Sequence, residues 1–144
     1  MSSGMTINSI NIVLILTLVT YLINPLEPYQ WKNRVILIYS NDQEQMADQL
    51  DVFTSEKSGF LDRDLVVFSL NADSGVNPAE NPLSEAEYKW LMKQYFTNME
   101  NFGVVLIGKD GGVKLESSVP VRTAKLFDLI DSMPMRIHEM KSGQ

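Results

Sequence analysis

Two short apolar runs, each followed by a helical period, organise the chain. Arg34 to Tyr39 is continuous, apolar and rich in β-branched residues, which predicts a strand buried on both faces. Ser40 and Asn41 then offer helix caps, with Gln43 and Glu44 at the matching capping-box positions. Met46, Leu50 and Phe53 recur at helical spacing, and Ser58-Gly59 reads as the stop. After the charged turn Asp62-Arg63-Asp64, Leu65 to Leu70 repeats the strand pattern, so the first half predicts a βαβ unit with two parallel strands.

Turn-forming residues fill Asn71 to Pro82, which predicts a surface loop. Ser84 and Glu87 form a capping box, Leu83 and Tyr88 a hydrophobic staple, and Tyr88, Leu91, Met92, Tyr95 and Phe96 share one helical face. Val104–Ile107 and Val113–Leu115 flank Gly108-Lys109-Asp110-Gly111-Gly112, where Asp-Gly between apolar runs predicts a β-hairpin. Pro120 closes the second strand. A last helix carries Leu126, Phe127, Ile130 and Met133, Pro134 stops or kinks it, and a polar tail containing His138 follows. The resulting order, β-α-β-α-β-β-α with a four-stranded mixed sheet covered by helices, is that of a thioredoxin-like α/β fold.

The N-terminus has a different pattern. Residues 1–26 contain no charged side chain, and Ile10 to Ile23 is almost wholly apolar. This predicts a signal peptide or, if uncleaved, a membrane anchor, followed by a linker and lead-in to the first strand at 27–33 and a domain at 34–141. There is no Lys or Arg before the apolar run and no small-residue cleavage pattern after it, so the two alternatives stay open. The expected location is periplasmic or extracellular.

Composition narrows the chemistry. The chain has 144 residues with 44% hydrophobic and 21% charged side chains, enough apolar material for one core. Its net charge of −6 disfavours nucleic acid and brings no electrostatic gain at an anionic membrane, so a membrane role is expected only through the N-terminal segment. There is no cysteine and a single histidine. That removes disulfides, thiolate nucleophiles and zinc–thiolate or iron–sulfur sites from this chain. No cofactor, metal or catalytic residue is expected.

The segments Trp31-Lys32-Asn33-Arg34-Val35, Arg63-Asp64-Leu65-Val66-Val67, Val105 to Lys114, and Leu126 to Arg136 resemble the DUF4174 family. The Gly-Lys-Asp-Gly-Gly-Val-Lys hairpin and the Met-Pro-Met-Arg end are the most specific parts. The resemblance implies a thioredoxin-like fold related to peroxiredoxins and placement outside the cytoplasm, in small exported bacterial proteins and within secreted animal matrix proteins. It implies no catalytic mechanism.

In redox members of that fold the first βα turn holds the reactive cysteine, where the helix N-terminus favours a thiolate. Here the turn reads Ser40-Asn41-Asp42-Gln43-Glu44-Gln45. Ser40, Asn41, Asp42 and Glu44 are the candidate binding residues, for a polar ligand or a cation; the favoured reading of the two acids is ordinary complementation of the helix dipole. The hairpin lacks the Gly-Lys-Ser/Thr ending of a phosphate loop and reads as a turn. Asp62, Arg63 and Asp64 read as solvated strand-lead-in charges. Asp73 and Glu80 match no calcium-loop spacing. Trp31 is expected to plug the start of the first strand; its second reading is an aromatic partner surface shared with Tyr29. The function expected is a non-catalytic binding or interaction module of the cell envelope, its partner an envelope or extracellular protein or a small ligand. The alternative is a hydrolase or other enzyme using carboxylates or a metal near the first βα turn.

Overall fold

A computed structural model describes residues 23–143, so the expected export segment lies outside the described residues except for its last four positions. Strands β1 (Arg34–Ser40), β2 (Leu65–Leu70), β3 (Gly75–Val76), β4 (Phe102–Ile107) and β5 (Val113–Ser117) alternate with helices α1 (Gln43–Thr54), α2 (Lys57–Asp62), α3 (Glu85–Tyr95), α4 (Thr123–Asp131) and α5 (Pro134–Ser142). The sheet order is β3-β2-β1-β4-β5, with β1 and β2 parallel and the other pairs antiparallel.

The central strand β1 is buried along its whole length and sorts its side chains by pleat. Ile36 and Ile38 face a core built with Phe53 of α1, Phe60 of α2, and Leu126 and Ile130 of α4. Val35, Leu37 and Tyr39 face the opposite layer, with Leu91 of α3, Phe68, Phe96 and Leu26. The continuous apolar run in the sequence is therefore two alternating half-patterns, one for each helical layer.

Four features differ from the sequence-based expectation. The sheet has five strands, because Gly75–Val76 inside the expected loop pairs with Ser69 and Leu70. The first helix ends at Thr54, before Ser58-Gly59 as expected, but that pair lies inside a second short helix, α2, where a Cβ on Gly59 would come within 2.5 Å of the Phe127 ring. The last helix is two helices: Pro134 sits at the first turn of α5, where its missing N–H is harmless, so the expected polar tail with His138 is helical. The domain's packing begins before residue 34, with Leu26 buried and Tyr29 edge-on to Phe68, while most of the lead-in at 27–33 stays exposed.

The hairpin and the α3 cap form as expected. Gly108 N–H donates to Gly112 O at 2.8 Å, and Gly111 adopts φ +85°, a conformation glycine takes without strain. Ser84 and Glu87 form the reciprocal capping box of α3. A long-range clamp closes the other layer: the Gln49 side chain donates to Val121 O (2.8 Å) and accepts from Val121 N–H (2.7 Å), both buried.

Candidate functional site

The first βα turn lies at the carboxyl end of β1. Its cap is Asp42, not Ser40 or Asn41: one Asp42 carboxylate oxygen accepts from Glu44 N–H (2.9 Å) and Gln45 N–H (3.3 Å). The donors that would stabilise an anion at the start of α1 are thus occupied by the chain's own carboxylate. Ser40 is buried, and its hydroxyl bonds locally to the backbone of Asp42, accepting from N–H at 3.0 Å and donating to the carbonyl at 2.9 Å. Asn41 reaches across to the loop before β4, with backbone and side-chain bonds to Asn101.

Beside this turn lies an open cleft of about 390 Å³, lined by Ser40, Asn41 and Gln43, by Asn71, Ala72, Asp73 and Ser74 after β2, and floored by Met46, Ala47 and Leu50. The structure therefore brings two of the four candidate residues, Ser40 and Asn41, to a cavity. Asp42 and Glu44 do not line it. Its walls are hydroxyls and amides with one acid, over an apolar floor, which suits a neutral or weakly polar surface.

The opposite pole, at the amino end of β1, concentrates charge. Arg34, only 1% exposed, forms a two-pronged pair with Glu139 of α5 (3.1 and 3.2 Å) and donates to Arg63 O. Lys109 of the hairpin bridges Asp64 (2.8 Å) and Glu139 (2.7 Å). Arg63 grips Asp131 at 3.0 and 2.7 Å, and its guanidinium lies 3.8 Å over the Phe127 ring. Arg136, 5% exposed, joins Asp131 to Asp62. In the Asp62-Arg63-Asp64 turn the two acids stay largely exposed, as expected, but Arg63 is mostly buried, and all three join this network.

Hydrogen bonds from Arg63, with help from Arg136, hold the Asp131 carboxyl below the usual carboxylate range against the effect of burial. Burial pushes Glu139 up, but hydrogen bonds from Arg34 and Lys109 overcome it and leave it lowered. Four cations, Arg34, Arg63, Lys109 and Arg136, meet four carboxylates, Asp62, Asp64, Asp131 and Glu139. With charge balanced and donors occupied, the cluster is a clamp rather than an anion site. The segments Trp31–Val35, Arg63–Val67, Val105–Lys114 and Leu126–Arg136 supply most of it. The sequence signal was there, in charged residues embedded in the most distinctive segments.

Trp31 does not plug the strand. It is 65% exposed, whereas Tyr29 turns inward against Phe68, so the two do not share one aromatic surface. Among the described residues, no group of three or more His, Asp or Glu is placed to share a metal ion, and Asp73 and Glu80 form no such group. No helix among them is long and apolar enough to cross a membrane.

Residues 25–139 match the model of a family described as a domain of unknown function, DUF4174. The chain is 30% identical over 139 residues to "Coiled-coil domain-containing protein 80" of Danio rerio, an alignment spanning 84% of this chain and only 16% of that protein. In structure it is similar to the mitochondrial 2-Cys peroxiredoxin from Plasmodium falciparum (TM-score 0.52, 17% identity, 83% of this chain and 84% of that one). It is also similar to the reduced 2-Cys peroxiredoxin of Plasmodium vivax (TM-score 0.53, 16% identity, 80% and 84%). At these identities the likeness is one of fold: a peroxiredoxin-like, thioredoxin-like α/β domain. Both relatives are named for two cysteines, and this chain has none.

Proposed function

Because the chain belongs to the DUF4174 family, a domain of unknown function, and contains no cysteine, we propose that it acts as a non-catalytic binding module of the cell envelope or extracellular space. The binding surface in this reading is the Ser40–Asn41 cleft. The observation that carries it is the chemistry of the first βα turn: Asp42 occupies the N–H donors of α1, Ser40 is tied to the Asp42 backbone, and an open amide-lined cleft remains beside them. A turn arranged in this way offers no activated nucleophile, and it does offer shape, an apolar floor and hydrogen-bonding walls. The uncharged segment 1–26 supports placement outside the cytoplasm.

The test is a photo-crosslinking residue at Gln43, on the cleft wall, in cells producing the full chain. A discrete adduct is expected, and A47W, which fills the cleft from an exposed position and leaves the Asp42 cap intact, should abolish it. Absence of any adduct, or an adduct indifferent to A47W, overturns the cleft as the binding surface.

A further inference from the structure

The chain joins the domain with no slack. Leu26 is buried in the core, Ile23, Asn24 and Pro25 are half-buried, and the Asn24 side chain accepts from Leu26 N–H at 3.0 Å. The segment Ile23–Leu26 is therefore part of the domain surface rather than a free tether. Trp31 lies at this same pole, at the amino end of β1.

The mount of Trp31 is unusual. Its φ of 67° is the left-handed region, which a bulky side chain rarely adopts. The backbone is fixed there from several sides: Trp31 N–H donates to Lys109 O at 2.7 Å, Lys32 and Asn33 N–H both donate to Tyr29 O, and the Gln30 side chain reaches Asp110 O. The strain thus holds an indole out into solvent on a rigid turn, followed by the exposed Lys32. Met135, exposed, lines a cleft with Arg34 and Lys109 at the same pole. A Trp beside a Lys, five residues after an uncharged apolar segment and separated from it by the exposed Glu27, has the chemistry of a residue seated at the headgroup boundary of a bilayer.

We infer that this pole rests on a membrane, with the uncharged N-terminal segment in the lipid, the Trp31 ring at the headgroup boundary, and the Ser40–Asn41 cleft turned away toward solution. Binding at the cleft does not depend on this arrangement, and the two fail separately.

The experiment uses the full chain reconstituted with zwitterionic phosphatidylcholine vesicles, some carrying bromine on the acyl chains near the headgroup. The chain has two tryptophans, so W90Y reports Trp31 and W31F reports Trp90. W90Y emission should fall by about half or more in brominated vesicles and resist aqueous iodide, as expected for an interfacial indole, while W31F should show neither effect. If W90Y fails to fold, the difference between wild type and W31F gives the same reading. A vesicle-bound chain whose Trp31 stays open to iodide and untouched by bromine overturns the inference and marks the residue as a contact for a soluble protein. A chain that stays in the supernatant also overturns it, and leaves the crosslinking test at Gln43 to decide the binding role.

Discussion

The two ends of β1 have opposite characters. At the carboxyl end, Ser40 and Asp42 satisfy the polar groups through bonds within a few residues, leaving an open, lightly polar cleft. At the amino end, Arg34 finds Glu139, a residue 105 positions away, and the Asp62–Asp64 turn, the hairpin and α4 are drawn into the same network. In an α/β sheet the carboxyl ends of the strands are the usual place for chemistry. Here that end is quiet and the charge lies at the other, tying the last helix to the first strand. In this domain the polar chemistry is concentrated in a structural lock, at the end of the sheet opposite the cleft.

Removing Arg34 should break that lock most severely. R34M removes Glu139's two-pronged partner and leaves it only Lys109 and, at 3.8 Å, Arg136, and a loss of about 3–5 kcal/mol in urea unfolding is expected for one partner of a buried pair. The double variant R34M/E139M should lose clearly less than R34M alone, since no stranded charge remains. Equal losses would show that Arg34 matters by packing only.

Between the poles, Q49A strands the buried N–H and carbonyl of Val121 and should cost about 1–3 kcal/mol in the same assay. At the quiet end, D42A removes only a cap and should cost about 1 kcal/mol, most of it restored by D42S. If D42A proved more damaging than R34M, the contrast between the two ends would be wrong.

The smallest effect expected is with pH. Asp131 and Glu139 both have lowered folded-state values, so their contribution is complete above the ordinary carboxylate range and is lost as pH falls through those lowered values. Both are partly open to solvent, which weakens the effect. Urea midpoints measured from pH 7 downward should fall in acid, and E139Q should flatten the slope. An unchanged slope in E139Q would remove Glu139 from the account.

What was legible in the sequence was local. The β1 run, the hairpin and the Ser84–Glu87 box each depend on neighbours within a few positions, and each formed. What escaped depended on distant partners. The short helix α2 was not foreseen, because Gly59 has no visible role until the Phe127 ring above it is known. Strand β3 is two residues long, too short for a period. Arg63 reads as a solvated charge because Asp131 meets it only in three dimensions, and nothing local marks Arg136 as a partner of Asp62. At the candidate site, the residue types of the first turn were readable, but not which of them would cap: Ser40 is held by the end of β1, which leaves Asp42 as the first residue free to turn its side chain onto α1. The tyrosine and tryptophan of the lead-in turn parted ways because Tyr29 had Phe68 to pack on, while Trp31 was turned outward by its own backbone.

The central position of β1 also sets the timetable of folding. Its parallel partner β2 comes soon after it in the chain, but its second edge stays open until Phe102–Ile107 has been made. Until then a seven-residue, largely apolar strand with one unpaired side is a template for any other extended chain nearby. The second pairing of β1 is consequently non-local, and a holding chaperone that covers residues 34–40 should delay the domain until Phe102–Ile107 is made.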